Sequence, residues 1–137
     1  MPRKRESPPL VLVVDDFEDN RAMYAEFLGF SGYRVVQAAN GKEALEFARE
    51  LRPDAIVMDL SLPVMDGWEA TRRLKADEST RGIPIVALTG HTLPGPSAEA
   101  KEAGCDAVLV KPCLPDRLVS KLEELLSSSP SFDDDPG

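Results

Sequence analysis

Five short β-rich runs lie along this chain, and four of them are followed by a side chain that suits phosphoryl chemistry. The acid pair Asp15-Asp16 follows the first run and Asp59 follows the third. Thr89 follows the fourth run and Lys111 follows the fifth. A charge at the tip of a buried strand is costly unless it is used or paired. Together these four strand ends indicate a site for a divalent cation and a phosphoryl group.

The chemistry of such a site follows from the residue types. Asp15, Asp16 and Asp59 would place three carboxylates in one cleft, which implies a bound cation because like charges repel. Oxygen ligands without histidine or cysteine favour a hard ion, Mg²⁺ with Mn²⁺ as the alternative. Lys111 and the Thr89 hydroxyl can then contact a phosphoryl group, and one aspartate can accept it as an acyl phosphate.

The elements that must position these residues alternate between short β-rich runs and amphipathic segments. The predicted strands are Leu10–Val14, Arg34–Ala38, Ala55–Met58, Pro84–Leu88 and Ala107–Val110. Four of them are almost continuously apolar, which is typical of parallel strands covered on both faces. We therefore predict an α/β fold, a doubly wound parallel sheet whose ligands bind at the carboxyl ends of the strands.

Helix signals separate the strands. Asp19 or Asn20 is predicted to cap the first helix, and Asn40 the second, with Glu43 three residues later. Asp66 is predicted to cap a third helix that ends near residue 76, and a fourth is predicted from about 97 to 104. The predicted fifth helix has Pro115 in its first turn and an inward stripe of Leu118, Leu122 and Leu125.

Composition limits the class of protein. The 137 residues, 42% hydrophobic and 29% charged, suit one globular domain. We predict a folded unit over 9–127, with disordered tails at 1–8 and, acidic in character, at 128–137. A net charge of −8 disfavours nucleic-acid binding, and the absence of a long apolar run or secretory signal predicts a cytoplasmic protein without membrane attachment.

The two cysteines, Cys105 and Cys113, bracket the last strand. Eight residues of extended chain would hold them too far apart for a disulfide. The only histidine, His91, is distant in sequence, so a zinc site is disfavoured as well. Both are predicted to be reduced thiols, Cys105 in the core and Cys113 in a more accessible position.

Four motifs in this order resemble those of a bacterial two-component response-regulator receiver domain. They are Val13–Asp16, Val57–Gly67, Ile83–Gly90 and Val110–Pro112. The resemblance covers about residues 10–126 and implies a flavodoxin-like (βα)5 fold with strand order 2-1-3-4-5. It also implies that the chain is a signalling protein, not an enzyme in the ordinary sense, whose chemistry is its own phosphorylation and dephosphorylation.

The resemblance assigns a role to each site residue. Asp59 would be the phosphoacceptor, taking the group from a phosphohistidine. Asp16 and Asp59 would bind Mg²⁺ directly, with Ser61 through its carbonyl and Asp15 through water. Thr89 and Lys111 would contact the phosphoryl group. Together with Asp59 they would be the catalytic residues. Pro112 would follow Lys111 in a cis turn.

The resemblance also implies partners. A sensor histidine kinase or a phosphotransfer protein would supply the phosphoryl group, and an unidentified protein would respond to it. The chain is similar to the single-domain regulators of cell-cycle and chemotaxis pathways, which lack an output domain. A receiver segment of a hybrid kinase is the alternative.

Some positions depart from the family pattern. Val108 stands three residues before Lys111, where many receivers have an aromatic residue that moves inward on phosphorylation. His91 and Ser61 occupy positions that tune the lifetime of the acyl phosphate. Val108 leaves open a receiver fold that binds partners without phosphorylation. The Asp, Thr and Lys residues also leave open a Mg²⁺-dependent phosphohydrolase with an aspartyl nucleophile.

Overall fold

The structure is a computed structural model that describes residues 8–59, 67–89, 104–111 and 113–127. Its strands are β1 (Leu10–Val14), β2 (Arg34–Ala38), β3 (Ala55–Asp59), β4 (Ile85–Thr89) and β5 (Ala107–Val110). Its helices are α1 (Glu18–Phe30), α2 (Gly41–Leu51), α3 (Gly67–Ala76) and α4 (Pro115–Ser127). The predicted helix near 97–104 and most of both predicted tails lie outside the described residues.

All strand pairs are parallel, and the sheet order is β2-β1-β3-β4-β5. The predicted fold and strand order are confirmed. The order reverses between β1 and β3, and ligands of open α/β sheets bind outside the strand ends at such a point. The sequence prediction placed Asp59 and Thr89 just after their strands, whereas each is the last residue of its strand.

Alternating strand residues belong to two hydrophobic cores, one on each face of the sheet, because successive side chains point to opposite faces. On one face α2 and α3 bury Ala44, Leu45, Ala48, Ala70 and Leu74 against the sheet. On the other face α1 and α4 bury Tyr24, Leu28, Leu118 and Leu122. Half-buried Trp68, Cys105 and Val108 pack against the first of these cores.

Local capping confirms one helix prediction and corrects another. Asn40 caps α2, since its side chain accepts a hydrogen bond from the Glu43 amide at 2.9 Å. In α1, however, the N-cap is Phe17, without a side-chain cap, and the predicted caps Asp19 and Asn20 lie inside the helix. The carboxylate of Asp15 accepts the Phe17 amide at 2.9 Å, so the acidic turn itself sets the start of the helix.

None of the helices within the described ranges combines the length and apolar character that a membrane crossing requires.

Candidate functional site

The register of the parallel strands brings the predicted site residues to one edge of the sheet. Val14 pairs with Met58, so Asp15, directly after β1, and Asp59, the last residue of β3, lie level with each other. Thr89 pairs with Val110, which places Lys111 one step beyond it. A hydrogen bond of 2.7 Å from the Lys111 amide to the Thr89 carbonyl continues this pairing into the loop. The pairing of neighbouring strands therefore brings these site residues together.

Three carboxylates form the centre of this edge. One oxygen of each of Asp15, Asp16 and Asp59 lies within 4.8 Å of the others. Asp15 and Asp59 are buried, whereas Asp16 is exposed. Two ligands on opposite sides of Mg²⁺ lie about 4.2 Å apart, twice its oxygen distance, so the cluster has the dimensions that this ion needs.

An unpaired oxygen supports the same ion. The buried Oδ2 atom of Asp15 has no hydrogen-bond partner among the described residues, although Oδ1 accepts the Phe17 amide. Burying a carboxylate oxygen without a donor is unfavourable, and a hard cation or a water bound to that cation would satisfy it. The donor set of Asp15, Asp16 and Asp59 contains oxygen alone, which fits Mg²⁺ rather than a soft metal.

The acid–base behaviour of Asp15 reflects its burial beside other carboxylates. Burial raises the pKa of Asp15, and the charge of Asp59 raises it further. The Phe17 amide and the Lys111 ammonium act in the opposite direction but do not cancel these effects. Additional positive charge beside Asp15 would therefore favour its ionised form.

Lys111 supplies positive charge to the acidic cluster. Its Nζ atom lies 3.2 Å from Oδ1 of Asp59, and the Asp59 side chain is only 4% exposed. The Lys111 side chain is 27% exposed, so it reaches the acid from the solvent side. An ammonium in this position can contact the oxygens of a group attached to Asp59.

Tyr24, on α1, holds the loop that follows Lys111. Its hydroxyl donates a hydrogen bond of 2.9 Å to the Cys113 carbonyl, across 89 residues of sequence. Cys113 itself is 6% exposed, so the prediction that it is the more accessible cysteine was wrong. No sequence motif marks Tyr24, because its hydrogen-bond partner lies 89 residues away along the chain.

We expect Tyr24→Phe to destabilise the protein and to flatten its stability at alkaline pH. Removing the buried hydrogen bond should cost about 1 kcal/mol at pH 8. Burial is the main cause that raises the pKa of Tyr24 from 10.0 to about 12. The folded state thus retains this proton while the unfolded state loses it, and stability falls from pH 10 to pH 12 by at most about 1.4 kcal/mol per pH unit.

Urea unfolding of wild type and Tyr24→Phe at several pH values would measure this difference. Tyr33→Phe is the matched control, since burial also raises the pKa of Tyr33 but its ring lies outside the site. A Tyr24→Phe variant that loses stability between pH 10 and 12 as steeply as wild type would contradict the assignment.

Among the predicted site residues, Asp15, Asp16, Asp59, Thr89 and Lys111 lie at the same edge of the sheet. Thr89 is buried, 3% exposed, at the end of β4. Ser61, His91 and Pro112 lie outside the described residues. The structure therefore brings the acidic cluster, the hydroxyl and the amine together, and the remaining assignments stay predictions.

This geometry, an acidic cluster beside a lysine at the carboxyl ends of a parallel sheet, is the site that the receiver resemblance predicts. The chain belongs to the response regulator receiver domain family, whose model matches residues 11–123. Receiver domains act in two-component phosphorelay signalling, and the family binds Mg²⁺ in its acidic pocket. This membership confirms the resemblance and gives no support to the phosphohydrolase alternative.

Named relatives cover almost the whole domain. The polar-differentiation response regulator DivK of Brucella anthropi is 36% identical over 122 residues, which span 89% of this chain and 99% of the relative. The DivK protein of Brucella ovis is 35% identical over 119 residues, 87% of this chain and 97% of the relative.

Solved structures of response regulators and of a receiver domain are similar to this chain over almost its whole length. The Vibrio cholerae chemotaxis protein CheY4 superposes with a TM-score of 0.83 at 37% identity, covering 88% of this chain and all of that one. The receiver domain of the sensor histidine kinase PA1611 from Pseudomonas aeruginosa also gives 0.83 at 37% identity, covering 89% of this chain and all of that one. The PA1611 structure carries a magnesium ion coordinated in its active site cleft.

Proposed function

We propose that Asp59 accepts a phosphoryl group from the phosphohistidine of a sensor histidine kinase or a phosphotransfer protein. A carboxylate oxygen of Asp59 attacks phosphorus, the phosphorus–nitrogen bond breaks, and the imidazole leaves as the acyl phosphate forms. Water later cleaves the acyl phosphate, which restores the carboxylate and releases inorganic phosphate. The observation that carries this proposal is the buried Asp59 carboxylate. It belongs to the acidic cluster and lies 3.2 Å from the Lys111 ammonium.

The other site residues would support this transfer. Asp16 and Asp59 would bind Mg²⁺ directly, Ser61 would bind it through its carbonyl and Asp15 through a water. The ion, with Mn²⁺ as a substitute, would neutralise charge on the transferring group. Thr89 and Lys111 would donate hydrogen bonds to the phosphoryl oxygens. Stabilising the charge on these oxygens supplies most of the rate enhancement of phosphoryl transfer. Phosphorylation would then change binding to a downstream protein, in the cytoplasm.

A titration with Mg²⁺ and beryllofluoride, a phosphoryl mimic, would test the site. Trp68 packs half-buried against the core at the start of α3 and provides a fluorescence probe, with amide NMR as a second readout. We expect saturable Mg²⁺ binding, followed by beryllofluoride binding that requires the ion. Asp59→Ala should lose the second event, whereas Asp77→Asn, on the remote α3–β4 turn, should retain both. Beryllofluoride binding to Asp59→Ala would refute the proposal.

Phosphorylation-independent partner binding is the second candidate, and Val108 favours it. This residue pairs with Ala87 and packs half-buried against the α2–α3 core, where an aromatic switch residue would otherwise stand. Equal partner affinity for wild type, Asp59→Ala and the beryllofluoride form would select this function over phosphorylation-dependent binding.

A further inference from the structure

Arg21, on the first turns of α1, bridges the ends of two strands beside the acidic cluster. Its Nη1 atom donates a hydrogen bond of 2.9 Å to the Asp15 carbonyl, at the end of β1. Its Nε atom donates a hydrogen bond of 3.1 Å to Oε1 of Gln37, on β2. The guanidinium has a planar fork of donors, so binding two acceptors fixes its orientation.

The bond from Arg21 completes the restraint of Asp15. The Asp15 amide donates to the Ala38 carbonyl at 3.1 Å, and its Oδ1 atom accepts the Phe17 amide. With its carbonyl held by Arg21, Asp15 is fixed at three points. The one site that these contacts leave is Oδ2, which is buried beside Asp16 and Asp59 and has no hydrogen-bond partner within the described residues.

We propose that Arg21 is a positioning residue for the Mg²⁺ site. It holds the Asp15-Asp16 peptide so that both carboxylates face the ion before the ion arrives, an inference that rests on the proposed function. Groups that orient metal ligands from outside the coordination sphere commonly change affinity by about 10- to 100-fold when removed. Arg21 would act in this way through the backbone, because it touches the Asp15 carbonyl and not a carboxylate oxygen in any described contact.

The sign of the effect separates positioning from simple electrostatics. The protein carries a net charge of −8, and removing a cation near the site makes it more negative. Long-range attraction alone would therefore tighten Mg²⁺ binding to Arg21→Ala. Loss of positioning predicts weaker binding, in spite of the additional negative charge. A residue that only stabilises the fold would change the unfolding midpoint and leave the affinity of the folded protein unaltered.

Isothermal titration with Mg²⁺ at constant ionic strength would test this inference. We expect Arg21→Ala to bind Mg²⁺ about tenfold more weakly than wild type. Arg21→Met keeps the apolar part of the side chain without its donors, and it should give the same loss if the alanine variant does not fold. Gln37→Ala removes one of the two hydrogen-bond acceptors of the Arg21 guanidinium, and it should weaken Mg²⁺ binding by no more than about threefold.

Arg34→Ala is the matched control, because it removes one exposed positive charge from the start of β2, at the opposite end of the sheet. Its affinity should equal that of wild type or exceed it. Wild-type affinity, or tighter binding, in folded Arg21→Ala or Arg21→Met would overturn the role of Arg21 and leave the proposed function intact. Wild type without saturable Mg²⁺ binding would overturn both.

Discussion

Asp59→Asn is expected to abolish covalent phosphorylation completely. Wild type incubated with acetyl phosphate and Mg²⁺ should gain the mass of one phosphoryl group, and the variant should gain none. An amide nitrogen is not a nucleophile under these conditions, so no other atom at this position can form the acyl phosphate. Intact-protein mass spectrometry would measure the adduct, and its loss on treatment with hydroxylamine would identify an acyl phosphate rather than a phosphoester.

Two further variants determine whether the chemistry belongs to the cluster or to Asp59 alone. Asp16→Asn retains the nucleophile but loses an ion ligand, so we expect an adduct that forms at least about tenfold more slowly. Asp77→Asn carries the same change of residue type at a site where the carboxylate pairs with Arg49 at 3.0 Å, and it should react as wild type does. An adduct that persists in Asp59→Asn would show that another side chain is the acceptor.

The sheet and most of the site follow from the sequence because their cause is local. Continuous apolar runs predict buried parallel strands, and parallel strands end at a common edge, so Asp59, Thr89 and Lys111 had to converge. The start of α2 was equally predictable, because the Asn40 cap and Glu43 lie three residues apart.

The contacts that support the site were not predictable, because they join residues that only the folded sheet brings together. Arg21 meets Gln37 across 16 residues, and Tyr24 meets Cys113 across 89. The wrong cap of α1 has a related cause. Asp19 and Asn20 are good cap residues by type, but Asp15 accepts the Phe17 amide and starts the helix earlier. Burial of Cys113 likewise follows from the packing of α1 against α4.

Lys111→Met should destabilise the Mg²⁺-free protein and yet strengthen its affinity for Mg²⁺. Removing one partner of a fully buried ion pair costs about 3–5 kcal/mol, since the other charge is left uncompensated. The Lys111 side chain is 27% exposed, and solvent screening reduces this to about 1–3 kcal/mol. With the ammonium gone, less positive charge opposes the ion, so Mg²⁺ should bind at least about threefold more tightly.

A double-mutant cycle would assign the lost stability to the pair. Asp59→Asn removes the charge that Lys111 pairs with in wild type, so in the absence of Mg²⁺ the double variant should be more stable than Lys111→Met alone. Saturating Mg²⁺ should also restore much of the stability of the single variant, because the ion replaces the missing cation. Lys121→Met is the control: its exposed pairing with Glu124 at 3.1 Å should contribute less than about 1 kcal/mol.

The same variant separates ion binding from phosphoryl transfer. Lys111 would donate to the phosphoryl oxygens during the transfer, and loss of such a donor typically slows a reaction about a hundredfold. Lys111→Met should therefore bind Mg²⁺ more tightly and form the Asp59 adduct more slowly, two changes that no general loss of structure would produce together. Chemical denaturation, calorimetry and the rate of adduct formation would measure the three effects. Weaker Mg²⁺ binding or an unchanged rate would show that Lys111 is not the cation that the transferring group uses.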